Sequence, residues 1–380
     1  MRVAIDIQVV AEGNRSGLFS CLRSTIQELR LLTDDQVWMF AELTANFSQR
    51  DAATVSAAMG GIPLRLVRRP QRFYRVWRRA SLWNRADIVL HNLHATLPPA
   101  THAANAFLVP DVIPLAVDYG VPNLAASYRP FYDTAVRHGD VILMFTEHAK
   151  LDFLERVGGS PELIRVVPLA ASPEFHPVPD KESLQMALAP LGLDGAPYVL
   201  MVATVEVRKN HAVLLRAFER MLMRDPALPH RLVLVGGKWI GHEAVFELIR
   251  ELRLTDRVTY LGFCESLASV YAGADAFVFP SLYEGFGLPV LEAMASGVPV
   301  LAADATSLPE VVGDAGVLFD PHDVEQLSIV LQRLLSDRMY HDDLAQRGLE
   351  RAAGYSWRRT AEQYVHAFEF GIRRFKARAH

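Results

Sequence analysis

The sequence predicts an α/β protein of two doubly wound domains, each built on a parallel sheet. Three observations predict it. Short apolar runs alternate with amphipathic stretches along nearly all of the 380 residues, and strands alternating with helices argue parallel sheets. Runs such as "RLVLVGG" are apolar throughout, which suits strands covered on both faces. The alternation stops once, in a proline-rich stretch before Pro197, and then restarts.

"RVAIDI" (Arg2–Ile7) reads as the first strand. "SCLRSTIQELRLL" (Ser20–Leu32) reads as a helix, with Leu22, Ile26, Leu29 and Leu32 at helical spacing. Further strands are expected in "VWMFAEL", "PLRLV", "ADIVLHN", "NAFLVP" and "DVILMFT". From Pro197 the order is strand "YVLMVAT", helix "HAVLLRAFERML", strand "RLVLVGG", helix "HEAVFELIREL" and strand "RVTYLG". A short helix, strand "AFVFP", a helix from Pro289 and strand "VPVLAA" follow. The expected organisation is a first domain over 1–175, a linker over 176–196 and a second domain over 197–355. Residues 356–380 are expected to form a helix returning to the first domain. Ligands of doubly wound sheets bind outside the carboxyl ends of the strands. The loops that follow strands, facing an expected cleft, therefore carry the functional reading.

Composition removes several classes. An apolar share of 51% excludes a disordered chain. A net charge of −4 lacks the basic footprint that nucleic acid requires, so no nucleic-acid partner is expected. Cys21 and Cys264 show neither metal spacing nor a disulfide framework, which fits a reducing compartment. "MRVAIDIQVV" carries Asp6 inside its apolar run and makes a poor signal peptide. No uninterrupted apolar run reaches the ~18 residues of a membrane span. A cytoplasmic protein is expected.

The stretch "SLYEGFGLPVLEAMASGVPV" (Ser281–Val300) holds two charges, Glu284 and Glu292, in apolar, glycine-spaced surroundings. Pro280 ends a strand, and Pro289 suits the first helical position, so a helix is expected from about Leu288 with Glu292 in its first turn. Free N–H groups from about Phe286 to Val290 would form an anion site. Gly285 and Gly287 allow close approach of a ligand. Carboxylates accept hydrogen bonds from sugar hydroxyls, so a phosphate-bearing sugar is a sensible guest. The bland reading is that Glu292 complements the helix dipole and Glu284 is a solvated turn residue.

"EGFGLPVLE" has the E-x7-E pattern of the retaining glycosyltransferases of the GT-B fold, family 4 (group 1) type, and the chain resembles mannosyltransferase-like members of it. "RSGLFSCLRSTIQEL", "VPDVIPL", "FTEHAKLDFLERVG", "IRVVPLAASPEFHP", "VATVEVRKNHAVLLRAF", "GADAFVFPSLYEGFGLPVLEAMASGVPVLAA" and "LPEVVGDAGVLFDP" match family motifs in order. The resemblance implies two Rossmann-like domains and transfer of a sugar from a nucleoside diphosphate with retained configuration. It implies that Glu284 contacts the donor sugar, that Glu292 binds the ribose, and that amides near Phe286, Gly287 and Leu288 hold sugar and phosphate. No cofactor and no metal are implied beyond the nucleotide-sugar co-substrate. The implied partners are that donor, with GDP-mannose as the expected one, and a glycan or lipid-linked glycan acceptor of cell-surface polysaccharide synthesis.

"VEVRKN" (Val205–Asn210) also follows a strand. Arg208 and Lys209 there are cations beside a helix start, fit to stabilise charge growing on a leaving diphosphate. By resemblance Lys209 clamps the diphosphate, and Arg208 stands in for an Arg that relatives carry where this chain has Thr204. A solvated Arg-Lys pair is the plain alternative. Gly17 opens the helix after strand one, where relatives approach the diphosphate; simple turn chemistry explains it equally. Asp111 follows a strand, and Pro110 replaces the histidine that relatives place before it. Asp111 can serve as a base, orient an acceptor hydroxyl or cap a turn. His91 and His94 follow another strand and are either structural or turned to the cleft. His148, Lys150 and Glu310 match family positions with bland helix-start or helix-turn readings. Gly236 and Gly237 end a strand and permit close approach, and Phe263 sits where relatives contact the base. The stretch Arg65–Arg85, read as a helix from Gln71, is basic on one side with Trp77 and Trp83 on another. It suits either an anionic membrane surface on the inner face of the plasma membrane or a core helix with a solvated face. The rival readings are an epimerase or phosphorylase of similar fold and a degenerate partner subunit.

Overall fold

A computed structural model of the chain describes residues 1–6, 17–32, 37–43, 49–58, 61, 64–68, 86–93, 99–193 and 195–378. In chain order the strands are β1 (Val3–Asp6), β2 (Val37–Leu43), β3 (Leu64–Arg68), β4 (Ile88–His91), β5 (Ala104–Leu108), β6 (Val141–Met144) and β7 (Ile164–Val166). Among the described residues they form one sheet in the order β3-β2-β1-β4-β5-β6-β7, parallel at every step. The second series is β8 (Tyr198–Val202), β9 (Arg231–Val235), β10 (Val258–Gly262), β11 (Ala276–Phe279), β12 (Val300–Ala303) and β13 (Val317–Phe319). These pair, again all parallel, in the order β10-β9-β8-β11-β12-β13.

Both orders reverse direction after the first strand of the series, at β1/β4 and at β8/β11. That is the doubly wound, Rossmann-like topology, with its ligand-binding switch point at those neighbours. The strands that line the switch points are buried throughout, β1, β4 and β11 at every residue, which is why they read as continuous apolar runs. The helix Gly17–Leu32 turns Leu22, Ile26 and Leu29 into the core. The helix His211–Arg224 buries Val213, Leu214, Leu215, Ala217, Phe218 and Met221. β7 and β13 have three residues each and lie at sheet edges. Neither was expected from the sequence, because so short a run carries no resolvable period.

The chain divides into a unit of Met1–Leu169 with Ser356–His380 and a unit of Ala170–Tyr355. The stretch 176–196, expected as a linker, is folded into the second unit and carries the helix Lys181–Leu188. Its Asp180 caps the start, accepting from the Glu182 N–H at 3.2 Å. Leu188 buries beside Gly273, where an added Cβ would stand 2.7 Å from the leucine Cδ1. The helix Trp357–Arg378 belongs to the first unit. There Thr360 donates to the Pro168 carbonyl at 2.7 Å, and Arg378 pairs with buried Asp140. Of the basic stretch Arg65–Arg85, residues through Arg68 are strand β3, in register with β2. The helix expected from Gln71 lies outside the described residues.

Candidate active site

Two loops at the switch point of the second unit meet through their side chains. The first leaves β8, makes a single 3-10 turn at Val207–Lys209, and enters the helix His211–Arg224 through Asn210, whose φ of 56° is left-handed. Asparagine tolerates that conformation better than most residues, and its Nδ2 donates to the Pro321 carbonyl at 2.8 Å. The second loop leaves β11 at Phe279 and enters the helix Leu288–Ala295 through Gly287. Gly287 has φ 101°, and a Cβ on it would lie 2.6 Å from Leu308 Cδ2, so only glycine fits. The loops are tied along the backbone, Leu282 N–H donating to the Arg208 carbonyl at 2.9 Å.

Arg208 spans them. Its Nη1 donates to the Tyr283 carbonyl at 2.6 Å and to Glu284 Oε1 at 3.0 Å, while Nη2 donates to Glu206 Oε1 at 2.6 Å. Lys209 Nζ pairs with the same Glu284 oxygen and lies 5.1 Å from the Phe279 ring centroid. Glu206, Glu284 and Lys209 are 3%, 8% and 9% exposed. The main chain of Glu284 is held as well: its N–H donates to Thr306 Oγ1, and its carbonyl accepts from Ser307 Oγ, both at 2.9 Å. Burial pushes the Glu284 carboxyl up, but Lys209 and Arg208 beside it outweigh that and hold it below the ordinary range. Burial, reinforced by Arg208, brings Lys209 below its ordinary value against the pull of Glu284. Two carboxylates and two cations thus balance in a poorly solvated place. Such clusters contribute little net stability and concentrate at functional sites.

Glu292 corrects an expectation. The helix begins at Leu288, so Glu292 is its fifth residue and the first turn holds no acid. That removes the dipole reading. Its carboxyl instead faces Tyr271, whose hydroxyl donates to Oε2 at 3.0 Å. Burial, helped by Glu174, raises it to about 7 despite that bond. Phe286 is buried and turns its ring inward onto Tyr355 at 6.1 Å. Gly236 serves backbone packing: with φ 143°, its Cβ would stand 2.0 Å from the Ala203 carbonyl oxygen. Phe263, just past β10, is 62% exposed.

Gly17 and Asp111 lie in the first unit. Gly17 is the first residue of its helix. Asp111 accepts from the Ile113 N–H at 2.9 Å, the turn-capping geometry. Of the two readings of His91, the structural one fits its surroundings. It is wholly buried, stacks on Phe107 at 4.7 Å and shares a 3.0 Å hydrogen bond with Asn105. Burial brings its pKa down to about 4. His94 lies outside the described residues. Thr146 caps the helix that carries His148, and Lys150 pairs with Glu147 at 2.8 Å. The Glu310 carbonyl accepts from Arg351 at 2.6 Å, a helix-end clamp. Sequence reasoning missed Glu206, Tyr271 and Thr306. Glu206 had a signal, an acid two residues before Arg208; Tyr271 and Thr306 had none. Among the described residues no group of three or more His, Cys, Asp or Glu could hold a metal, and no helix is long and apolar enough to cross a membrane.

Two Rossmann-like units of parallel sheet, with charged loops at the switch point of the second, define the GT-B class. Residues 189–351 match the family described as Glycosyl transferases group 1. The O-antigen chain mannosyltransferase B of Escherichia coli is 34% identical over 231 residues, covering 60% of this chain and 60% of that protein. A D-inositol 3-phosphate glycosyltransferase of Nocardia farcinica is 34% identical over 249 residues, covering 63% of this chain and 54% of that protein. The chain thus matches about 60% or less of the length of these relatives. Across 97% of this chain and 99% of the other, the fold is similar to Anabaena HepE solved with UDP and glucose, at TM-score 0.76 and 18% identity. WaaG, a glycosyltransferase involved in lipopolysaccharide biosynthesis, is similar over 96% of this chain and 98% of its own, at TM-score 0.68 and 16% identity.

Proposed function

We propose that the chain is a retaining hexosyltransferase that moves mannose from GDP-mannose to a growing cell-surface polysaccharide or lipid-linked oligosaccharide. The observation that carries the reading is the buried Glu206–Arg208–Glu284–Lys209 cluster beside the start of the helix Leu288–Ala295. Lys209, Arg208 and the main-chain amides of Gly287 and Leu288 suit a diphosphate; Pro289 has no N–H, and that of Val290 bonds the Gly287 carbonyl at 2.9 Å. Glu284 suits the hexose hydroxyls, and Glu292, one turn deeper, suits the ribose. In the transfer the bond from C1 to the diphosphate oxygen breaks, and the acceptor oxygen bonds C1 on the same face. The acceptor's proton passes to the departing diphosphate. Lys209 and Arg208 gain most as negative charge grows on that leaving group, which is how a preorganised cation lowers a barrier. Glu284 Oε1 engages both cations, so the charges of the cluster neutralise one another.

The mannose assignment is supported by the mannosyltransferase relative at 34% identity. The basic stretch Arg65–Arg85 supplies the proposed contact with an anionic surface bearing the acceptor. A thermal-shift series with GDP, UDP, GDP-mannose and UDP-glucose tests the donor, since bound ligand stabilises the folded state as ln(1 + [L]/Kd). GDP and GDP-mannose are expected to raise Tm most; a response to the uridine pair alone would reassign the donor. Transfer is expected to continue in excess chelator, and loss with rescue by Mn²⁺ would overturn the metal-free reading.

A further inference from the structure

We propose that Tyr271 is a positioning residue that holds the Glu292 carboxylate in place for the ribose hydroxyls of the donor nucleotide. The inference rests on the ribose-binding role given to Glu292 above. Tyr271 lies in the helix Leu267–Ala272, and Glu292 lies 21 residues on, in the helix Leu288–Ala295.

The tyrosine is anchored at both ends. Its side chain is 0% exposed. Its ring meets Phe175 edge-on at 5.3 Å and 88°, and Phe277 at 5.5 Å and 44°. A ring so packed keeps one rotamer, since protein interiors are close-packed. The hydroxyl then delivers its one donor to Glu292 Oε2 at 3.0 Å. Oε1 takes no hydrogen bond from the described residues. One oxygen is thus fixed and the other is left for a ligand. A vicinal diol bonds best to a carboxylate whose plane is already set, because ordering a flexible side chain on binding costs affinity.

The same hydroxyl bears on charge. Among the described residues, two titratable groups act on Glu292: Tyr271 through its hydrogen bond and Glu174, in the segment ahead of Phe175, through its charge. Burial and Glu174 favour the protonated carboxyl, while the Tyr271 hydroxyl, as a donor, favours the carboxylate. A ribose hydroxyl that donates needs the carboxylate. Removing the Tyr271 hydroxyl therefore weakens binding twice, by loosening the acceptor and by keeping it protonated to higher pH.

The experiment is titration calorimetry of GDP, with UDP as a second arm, into the full chain from pH 5.5 to 8.5. The proteins are wild type, Tyr271→Phe, Glu292→Gln, Glu292→Asp and the Phe/Gln double variant, each checked for native unfolding behaviour. In wild type, affinity should fall as pH drops through about 7. Tyr271→Phe should raise Kd about fivefold to tenfold at pH 7, the effect of one charge-assisted hydrogen bond, and move the midpoint upward. Glu292→Gln should abolish the midpoint, and adding Tyr271→Phe to it should change Kd less than about twofold, because the coupling partner is gone. Glu292→Asp draws the carboxylate back from the hydroxyl and should match Tyr271→Phe, which tests the bond even if the phenylalanine variant unfolds. Unchanged affinity and midpoint in Tyr271→Phe overturn the proposal. So does an equal loss in the Gln background, which would mark a packing role. If Glu292→Gln leaves nucleotide affinity intact, or neither nucleotide binds wild type, the ribose reading itself fails and the proposal falls with it.

Discussion

The two units share one strand order and use its switch point differently. In the second unit, the loops after β8 and β11 bring Arg208, Lys209, Glu206 and Glu284 into one buried, charge-balanced cluster. In the first unit, the described polar groups at β1 and β4 turn inward. His91 bonds Asn105, and Asn92 donates to the Asp6 carbonyl. One switch point joins cations to carboxylates at the cost of desolvation; the described hydrogen bonds at the other run through an imidazole, two side-chain amides and the main chain, beside the buried Asp6. Ionised groups in so dry a place mark a candidate functional site, and the proposed diphosphate would account for them.

The largest effect expected from breaking this contrast is at Lys209. Lys209→Ala should lower kcat roughly a hundredfold or more, the scale of losing one stabiliser of developing charge. Native-like turnover in a folded variant would take Lys209 out of the site. Next come the two glutamates, whose defects should be crossed. Glu284→Gln should cut kcat by about tenfold or more with nucleotide Kd nearly intact, since misplacing the sugar carbon is costly. Glu292→Gln should raise nucleotide Kd by about tenfold. Calorimetry beside donor kinetics reads both, and the reverse pattern would exchange the roles.

A third test uses pH and sets the units against each other. Glu292 sits at about 7 in the folded protein against an ordinary 4.5. Its contribution to stability is therefore lost as pH rises from about 4.5 to 7. His91 sits at about 4 against 6.5, so its contribution is lost as pH falls from about 6.5 to 4. Each slope integrates to roughly 3 kcal/mol. In denaturant melts, Glu292→Gln should gain on wild type toward pH 7, and His91→Gln should flatten the loss toward pH 4. Parallel pH profiles for wild type and both variants would contradict the two assignments. The smallest effect is expected at Asp111. Its carboxylate caps a turn at 2.9 Å, so Asp111→Asn, which keeps the acceptor oxygen, should change kcat within about threefold. A loss of a hundredfold would instead mark it as a base.

The sequence by itself determined the class of fold and the two loops that matter. Apolar periodicity and the placement of Pro280, Pro289 and Gly287 are local properties, and local properties are legible along one chain. Arg208, Lys209, Glu284 and Glu292 were legible as candidates because charge in apolar, strand-following loops is conspicuous. Tertiary structure alone decided the pairings. The bonds from Glu284 to Lys209 and Arg208 span 75 and 76 residues, and they exist because β8 and β11 are neighbours in the sheet. The partner of Glu292 is a tyrosine that nothing in its own segment distinguishes. The inward turn of His91 is likewise set by β5, where Asn105 and Phe107 wait for it. A side chain's burial and charge state depend on what other segments place around it, and desolvation and Coulomb forces act through space, not along the chain.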